Sequence, residues 1–225
     1  MCIRDSFPSS FKRLKRPIYG IAEYLREEGL DAFEYQAVRW GVKPQMKREN
    51  AEKLRVEAEK YDVWLSMHGS YFINLCGDEE TVEKSKRRLI ACVEAASWMG
   101  AHTVVFHPGF YGRRQPKEAL KLCVRAMREV VEEVISLGIS RVTLGPETTG
   151  KRSQLGSLDE ILTLCEKVEM TEPTIDWAHI HAREEGKLKT EEDFKRILDE
   201  VEKRLGTDVM KNLHCHYSHI EFTNK

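Results

Sequence analysis

TVVFHPG, residues 103–109, is an apolar run that stops abruptly at a histidine, a proline and a glycine. Such a run is typical of a buried strand in a parallel sheet. Pro108 cannot donate a backbone hydrogen bond to a neighbouring strand, and Gly109 tolerates a sharp turn, so the strand is predicted to end here. His107 is therefore predicted to lie where a strand gives way to a loop.

Strands and helices alternate along the rest of the chain. The patterns predict strands at residues 32–38, 63–68, 103–107, 141–147, 174–176 and 212–217. They predict helices at residues 17–28, 47–61, 79–99, 117–137, 158–168 and 191–205, several of which are followed by a glycine that suits a helix end. This alternation, with no linker, indicates a parallel sheet with helical crossovers in a single domain over residues 1–225.

The expected fold class is α/β, a (β/α)8 TIM barrel. A chain of 225 residues suits such a barrel, since these often run to about 200–250 residues. Six strands are clear where eight are needed. We expect a fragment, incomplete at both ends, whose first strand is lost or replaced by the first few residues and whose last strand lies beyond Lys225. The alternative, a doubly wound open sheet, lacks a glycine-rich nucleotide-binding turn after any strand.

Composition narrows the function classes. The net charge of −1 creates no global field toward nucleic acid or membranes. No apolar segment approaches the roughly 20 residues of a membrane span, and the N-terminus lacks the apolar centre of a signal peptide. The six cysteines form no C-x-x-C pair, so they are interpreted as reduced packing residues. A cytoplasmic protein without a membrane partner is expected.

Polar side chains recur where the predicted strands end, about one βα unit apart. In a parallel barrel all these strand ends open on the same face, so their side chains should converge on one site. Imidazoles and carboxylates without thiolates are a ligand set for zinc or another divalent metal. The candidate metal ligands are His68, His107, Glu147, Asp176, His179, His214 and His216.

Strand alternation supports this interpretation, because every second residue of a strand shares a face. The residues in phase with the candidate ligands are small or polar, and we expect Ser66, Thr103, Gly145 and Thr174 to face the barrel axis. The bulky residues of the opposite phase should face the helices. His214 and His216 are two residues apart, so alternation cannot decide which of them is the ligand.

Basic residues follow several strands on the same predicted face. A local positive rim would suit a phosphate backbone even in a nearly neutral protein. The candidates for this role are Arg39, Arg113, Lys151 and Arg152.

Five segments resemble the endonuclease IV family, also called apurinic/apyrimidinic endonuclease family 2, which has a xylose-isomerase-like TIM barrel. The segments are HGSYFINL at residues 68–75, FHPG at 106–109, PETTGKRSQLGS at 146–157, IDWAH at 175–179 and LHCHYS at 213–218. They span most of the chain in the family's order. The first segment and the Asp-x-x-His pair in the fourth are the more specific ones.

The resemblance implies a DNA repair endonuclease with three Zn²⁺ ions, acting as a monomer on double-stranded DNA at abasic sites. It implies that a metal-bound hydroxide cleaves the phosphodiester 5′ to the lesion, and that Tyr71 enters the duplex there. Glu147 is the implied catalytic carboxylate. In the implied zinc sites, His68 and His107 hold the first ion, and Glu147 bridges the first and second ions. Asp176 and His214 hold the second ion, and His179 holds the third.

Two segments depart from the family pattern. Glu147 is followed by Thr-Thr-Gly where the family often has Asn-Thr-Ala-Gly, and His214 is followed by Cys-His-Tyr-Ser where it often has a residue and then Asn-Asp-Ser. The family's Asp-x-His and final Glu should follow Lys225, so this chain is expected to be inactive or very weak. Two other functions stay open: a divalent-metal sugar or sugar-phosphate isomerase or epimerase, and a metal-containing barrel that binds nucleic acid without cutting it.

Overall fold

A computed structural model of the chain describes residues 3, 4, 11 and 15–218. It has the predicted α/β architecture with a parallel sheet. The strands are β1 (Ile3–Arg4), β2 (Ala32–Gln36), β3 (Trp64–His68), β4 (Thr103–Phe106), β5 (Gly109–Phe110), β6 (Thr143–Pro146), β7 (Gln154–Leu155), β8 (Thr174–Asp176) and β9 (His214–His216).

The helices fill the intervals between these strands. They are α1 (Ile21–Glu27), α2 (Arg48–Tyr61), α3 (Glu79–Met99), α4 (Pro116–Ser136), α5 (Leu158–Lys167), α6 (Trp177–Arg183), α7 (Glu191–Leu205) and α8 (Thr207–Lys211). A 3₁₀ turn, Ile18–Gly20, precedes α1. Among the helices that the structure describes, none has the length and apolar character needed to cross a membrane.

The strands follow one another around a partial barrel. A five-stranded parallel sheet has the order β1-β2-β3-β4-β6, and β8 pairs in parallel with β9. Isolated parallel bridges, Leu144 to Thr171 and Glu147 to Thr174, continue this order from β6 to β8. Within the described residues the ring does not close between β9 and β1. The arc nevertheless curves fully enough that His214 of β9 contacts Glu34 of β2 at 3.1 Å.

The two faces of the sheet divide as predicted. Leu65, Met67, Val104, Phe106 and Leu144 join the apolar core between the sheet and the helices. A smaller apolar cluster around Ile175 packs under α7. The in-phase residues lie instead on the barrel axis, where Ser66 donates a hydrogen bond to Glu34 and Thr174 Oγ1 lies 3.5 Å from the carbonyl of Gly145. Alternation therefore aims the polar strand-end residues at the axis.

Several predictions about the elements need correction. Of the two expectations for the first strand, its loss is wrong and its replacement by the first few residues is confirmed, because Ile3–Arg4 pairs in parallel with β2. Two residues are too few to show a periodic pattern. The predicted helix over residues 17–28 begins as the 3₁₀ turn. The antiparallel ribbon of β5 with β7 and the short helices α6 and α8 were not predicted. Asp176 ends β8 and caps α6, so the chain does bend there.

The cysteines that the structure describes have free thiols, as predicted. They are Cys76, Cys92, Cys123, Cys165 and Cys215, of which the first three are buried. Cys2 lies outside the described residues. Burial raises the pKa of Cys92 to about 12, which keeps this thiol protonated and fits a packing role.

Gly145→Ala is expected to destabilise the barrel by about 1–3 kcal/mol, the usual cost of overpacking. A Cβ at this position would lie 2.8 Å from Thr174 Oγ1 and 2.9 Å from Thr103 Oγ1, and both threonines sit on buried strands. Urea unfolding should show a lower midpoint. The control is Gly41→Ala, whose Cβ would have Gln45 Nε2 as its nearest neighbour at 3.9 Å. Equal midpoints for the two variants would contradict the packing described here.

Candidate metal centre

The first group of candidate ligands is His68, His107 and Glu147. His68 ends β3, His107 follows β4 by one residue, and Glu147 follows β6. The Nε2 atoms of His107 and His68 lie 2.7 and 3.4 Å from Glu147 Oε2. His68 Nδ1 lies 3.0 Å from the carbonyl oxygen of Gly69, which assigns its proton to Nδ1 and leaves the Nε2 lone pair facing Glu147.

Glu147 Oε2 is the atom that best tests whether a metal fits. It is buried and accepts no hydrogen bond from any described residue, although two imidazole nitrogens lie close to it. A buried carboxylate oxygen without a hydrogen-bond donor lowers the stability of the folded protein. The ligand atoms of a tetrahedral zinc are about 3.3 Å apart when each lies about 2 Å from the ion. The spacing of these three atoms and the missing hydrogen bond therefore fit a shared divalent cation.

The second group is Glu147, Asp176 and His179. Asp176 Oδ1 accepts a hydrogen bond of 2.7 Å from the His179 backbone N–H, because Asp176 is the N-cap of α6. Asp176 Oδ2 lies 3.6 Å from His179 Nδ1. His179 Nδ1–H also donates a hydrogen bond of 2.8 Å to the carbonyl oxygen of Thr148, which leaves Nε2 as the nitrogen whose lone pair could bind a metal. Glu147 is common to both groups, so they adjoin.

The third group is Glu34, His214 and His216, and it contains a residue that sequence reasoning missed. Glu34 lies in the middle of β2 with no exposed surface. His214 Nε2 lies 3.1 Å from Glu34 Oε2, and His216 Nε2 lies 3.1 Å from Glu34 Oε1. The sequence feature that could have identified Glu34 is an acidic residue inside the otherwise uncharged run AFEYQAV.

The structure separates the two histidines that alternation could not. His216 Nδ1 lies 2.6 Å from Glu147 Oε1, so His216 connects the third group to the other two. His214 lies two residues deeper, against Glu34. The resemblance instead paired His214 with Asp176. The ligand roles that it implied remain predictions.

Burial and charge compete in setting the pKa values of these groups. Burial would raise the pKa of Glu147, but the nearby His107, His216 and His68 hold it well below its usual range. For His216, burial favours the neutral ring, yet its contacts with Glu147 and Glu34 raise its pKa to about 11. Burial raises the pKa of Asp176. The carboxylate of Glu147 is thus ionised at neutral pH, as a metal ligand must be.

An aromatic and basic rim borders the first two groups. Tyr71 is 55% exposed, and its ring centroid lies 5.1 Å from that of His68 and 5.8 Å from that of His107. A cavity of about 420 Å³ lies here, lined among others by Tyr71, His107, Phe110, Lys151 and His179. A larger cavity, about 810 Å³, lies around Trp98 and His102, and its lining includes none of the ligand residues.

The basic residues predicted to contact DNA have different surroundings. Lys151 lines the 420 Å³ cavity and is exposed. Arg39 and Arg113 are exposed in loops after β2 and β5. Arg152 is also exposed, but it forms an ion pair of 2.9 Å with Glu185. Lys151 is therefore the one of these four that the structure brings to the cavity.

A second set of residues, also missed from the sequence, holds the loop after Glu147 in place. Arg183 Nη1 donates to the carbonyl oxygens of Lys151 and Gln154 at 2.8 and 3.1 Å, and Nη2 donates to Tyr111 Oη at 3.1 Å. Tyr111 Oη in turn donates to Glu160. These contacts join α6 to the loop and the β5–β7 ribbon. No sequence pattern predicts these contacts, because they depend on loop geometry.

Comparisons with known proteins agree with this architecture. The family described as xylose isomerase-like TIM barrel matches residues 22–224. An uncharacterized protein of Methanocaldococcus jannaschii is 36% identical over 201 residues, covering 89% of this chain and 71% of that protein. Probable endonuclease 4 of Listeria monocytogenes serotype 4b is 25% identical over 219 residues, covering 92% of this chain and 70% of that protein.

Solved structures share the fold. Endonuclease IV of Thermus thermophilus has a TM-score of 0.65 at 24% identity, over 84% of this chain and 68% of that one. D-psicose 3-epimerase of Clostridium cellulolyticum also has a TM-score of 0.65, at 14% identity, over 91% of this chain and 68% of that one. The family match spans nearly the whole sequence, and endonuclease 4 proteins are among its relatives. The chain belongs to the xylose isomerase-like TIM barrel family.

Proposed function

We propose that this chain is a zinc-dependent phosphodiester hydrolase that cleaves DNA 5′ to an abasic site. The observation that carries the proposal is Glu147, one buried carboxylate shared by two adjoining ligand groups beside an open cavity. Adjoining divalent ions joined by a carboxylate are typical of enzymes that cleave phosphate esters. The relatives named endonuclease 4 favour the same substrate.

The residues of the two groups would hold zinc in different ways. His68 and His107 offer imidazole nitrogens on one side of Glu147, and Asp176 and His179 offer a carboxylate and an imidazole on the other. All are nitrogen or oxygen donors, which suits zinc. When bound, zinc would lower the pKa of a water molecule and neutralise charge on the phosphate. These two groups would account for two of the three ions that the resemblance implies, and the number of ions stays a prediction.

The chain's own residues would position the DNA. Tyr71 presents an aromatic face beside the first ligand group, where a base or an abasic gap could meet it. Lys151 brings a positive charge to the same cavity, where a backbone phosphate would be attracted. Phe110 adds an exposed apolar ring to the rim. Together they would place a phosphodiester next to Glu147.

The test is incision of a duplex that carries one tetrahydrofuran abasic analogue. Protein in excess over DNA allows even a slow enzyme to give product, and an undamaged duplex is the control substrate. We expect zinc-dependent cleavage on the 5′ side of the analogue and none of the control. Binding without incision would favour the non-catalytic barrel. Epimerisation of a ketose by the same preparation, without incision, would favour the isomerase.

Tyr71→Ala is expected to weaken binding to the abasic duplex on the order of 10- to 100-fold, since a stacked base or aromatic contact is worth about 1–3 kcal/mol. Fluorescence anisotropy with a labelled duplex measures this. The matched control is Phe72→Ala, because Phe72 is 58% exposed but is not among the residues lining the cavity. Equal loss in both variants would argue against a specific role for Tyr71.

A further inference from the structure

We propose that Glu34, His214 and His216 form a binding site for a divalent cation of the zinc type, separate from the two groups that contain Glu147. The site takes its carboxylate from β2, a strand that carries none of the segments resembling endonuclease IV. It does not require the chain to act on DNA.

Glu34 is oriented as a metal ligand would be. Burying its carboxylate without partners would strongly destabilise the fold. Ser66 Oγ donates to Oε2 at 3.1 Å, and Gln36 Nε2 donates to Oε1 at 3.2 Å. These two donors sit on β3 and β2 and fix the plane of the carboxylate. Such hydrogen bonds to a ligating carboxylate are the usual support of a metal site.

The two imidazoles complete the set from β9. His214 Nε2 and His216 Nε2 each lie 3.1 Å from an oxygen of Glu34, close to the roughly 3.3 Å between neighbouring ligand atoms of tetrahedral zinc. All three ligand atoms lie within 4.8 Å of one another. Two histidines and one glutamate are also a known three-ligand set of zinc enzymes.

His216 shows which of its nitrogens would face the ion. Its Nδ1 lies 2.6 Å from Glu147 Oε1, which can accept the Nδ1 proton, and its Nε2 lies against Glu34. A histidine that donates one N–H to a carboxylate and offers the other nitrogen to a metal is a recurrent arrangement. Glu147 would therefore serve two sites: Oε2 as a ligand with His68 and His107, and Oε1 as the acceptor that orients His216.

The experiment measures Zn²⁺ bound per chain by elemental analysis, after metal-free protein is saturated and excess ion is removed. Glu34→Gln should bind one ion fewer than the unmodified protein, because the amide keeps the shape and loses the charge. The matched control is Glu172→Gln, a half-buried glutamate outside the three ligand groups. This control variant should bind as many Zn²⁺ ions per chain as the unmodified protein. An unchanged count in Glu34→Gln would overturn the site.

Two further measurements keep the test decisive if Glu34→Gln does not fold. Long-range ¹H–¹⁵N spectra of the unmodified protein should show the Nε2 signals of His214 and His216 shifting as Zn²⁺ is added, with the His216 Nδ1 proton retained. His216 protonated on both nitrogens at saturation would overturn the proposal. Ser66→Ala removes no ligand, so it should keep the count but weaken zinc at this site about 10- to 100-fold.

Discussion

Glu147→Gln is expected to lower the rate of abasic-site incision by at least about 100-fold, because removing even an outer partner of a metal ligand costs about 10- to 100-fold. Glu147 belongs to both adjoining ligand groups, so a neutral amide weakens two metal positions at once. The buried amide would also place an NH₂ group against the Nε2 of His107, which lies 2.7 Å from Oε2. The loss should appear in kcat and in zinc content together.

The control for this prediction is Glu172→Gln. Glu172 is a half-buried glutamate outside all three ligand groups, and burial alone raises its pKa. Its replacement should leave the incision rate and the zinc content unchanged. Incision by Glu147→Gln at the rate of the unmodified protein, with circular dichroism showing both variants folded, would contradict the shared role of Glu147.

Removing the metal is expected to abolish incision and to lower Tm. The folded chain gathers the ligands and the unfolded chain scatters them, so zinc binds the native state preferentially. At a zinc concentration 100 times Kd this stabilisation is about 2.7 kcal/mol. For a domain of this size each kcal/mol shifts Tm by about 2–4 °C, so zinc should raise Tm by roughly 5–10 °C.

Dialysis against a chelator, followed by thermal scans with and without added Zn²⁺, measures this shift. Mg²⁺ at the same concentration is the control, because imidazole ligands disfavour it. Protons compete with zinc for imidazole, so the apparent Kd should rise as pH falls from about 8 to about 6. Equal Tm values with and without zinc would show that the three groups hold no ion.

Sequence patterns revealed the parts of the structure that depend on strand periodicity. His68, His107 and Glu147 come together because each ends a strand of the same parallel sheet, and a strand end is visible as an apolar run that stops. The inward phase of Thr103 and Thr174 followed from the same alternation. The fold class needed nothing more than the repeated spacing of these runs.

Other parts depend on contacts between distant segments and leave no local pattern. Glu34 lies inside a strand and not at its end, and its partners His214 and His216 are some 180 positions along the chain. Which histidine faces Glu147 depends on how deeply β9 sits beside β8, where Asp176 pairs in register with His216. The sheet register, which no single sequence shows, fixes that depth.

Anomalous diffraction at the zinc absorption edge, on crystals grown with Zn²⁺, tests the metal centre most directly. The ligand geometry predicts a peak about 2.0–2.2 Å from His68 Nε2, His107 Nε2 and Glu147 Oε2. A second peak is expected on the opposite side of Glu147, near Asp176 and His179. A crystal whose zinc peaks all lie at surface side chains, with none between His68, His107 and Glu147, would contradict the proposal that this barrel works as a metal-dependent enzyme.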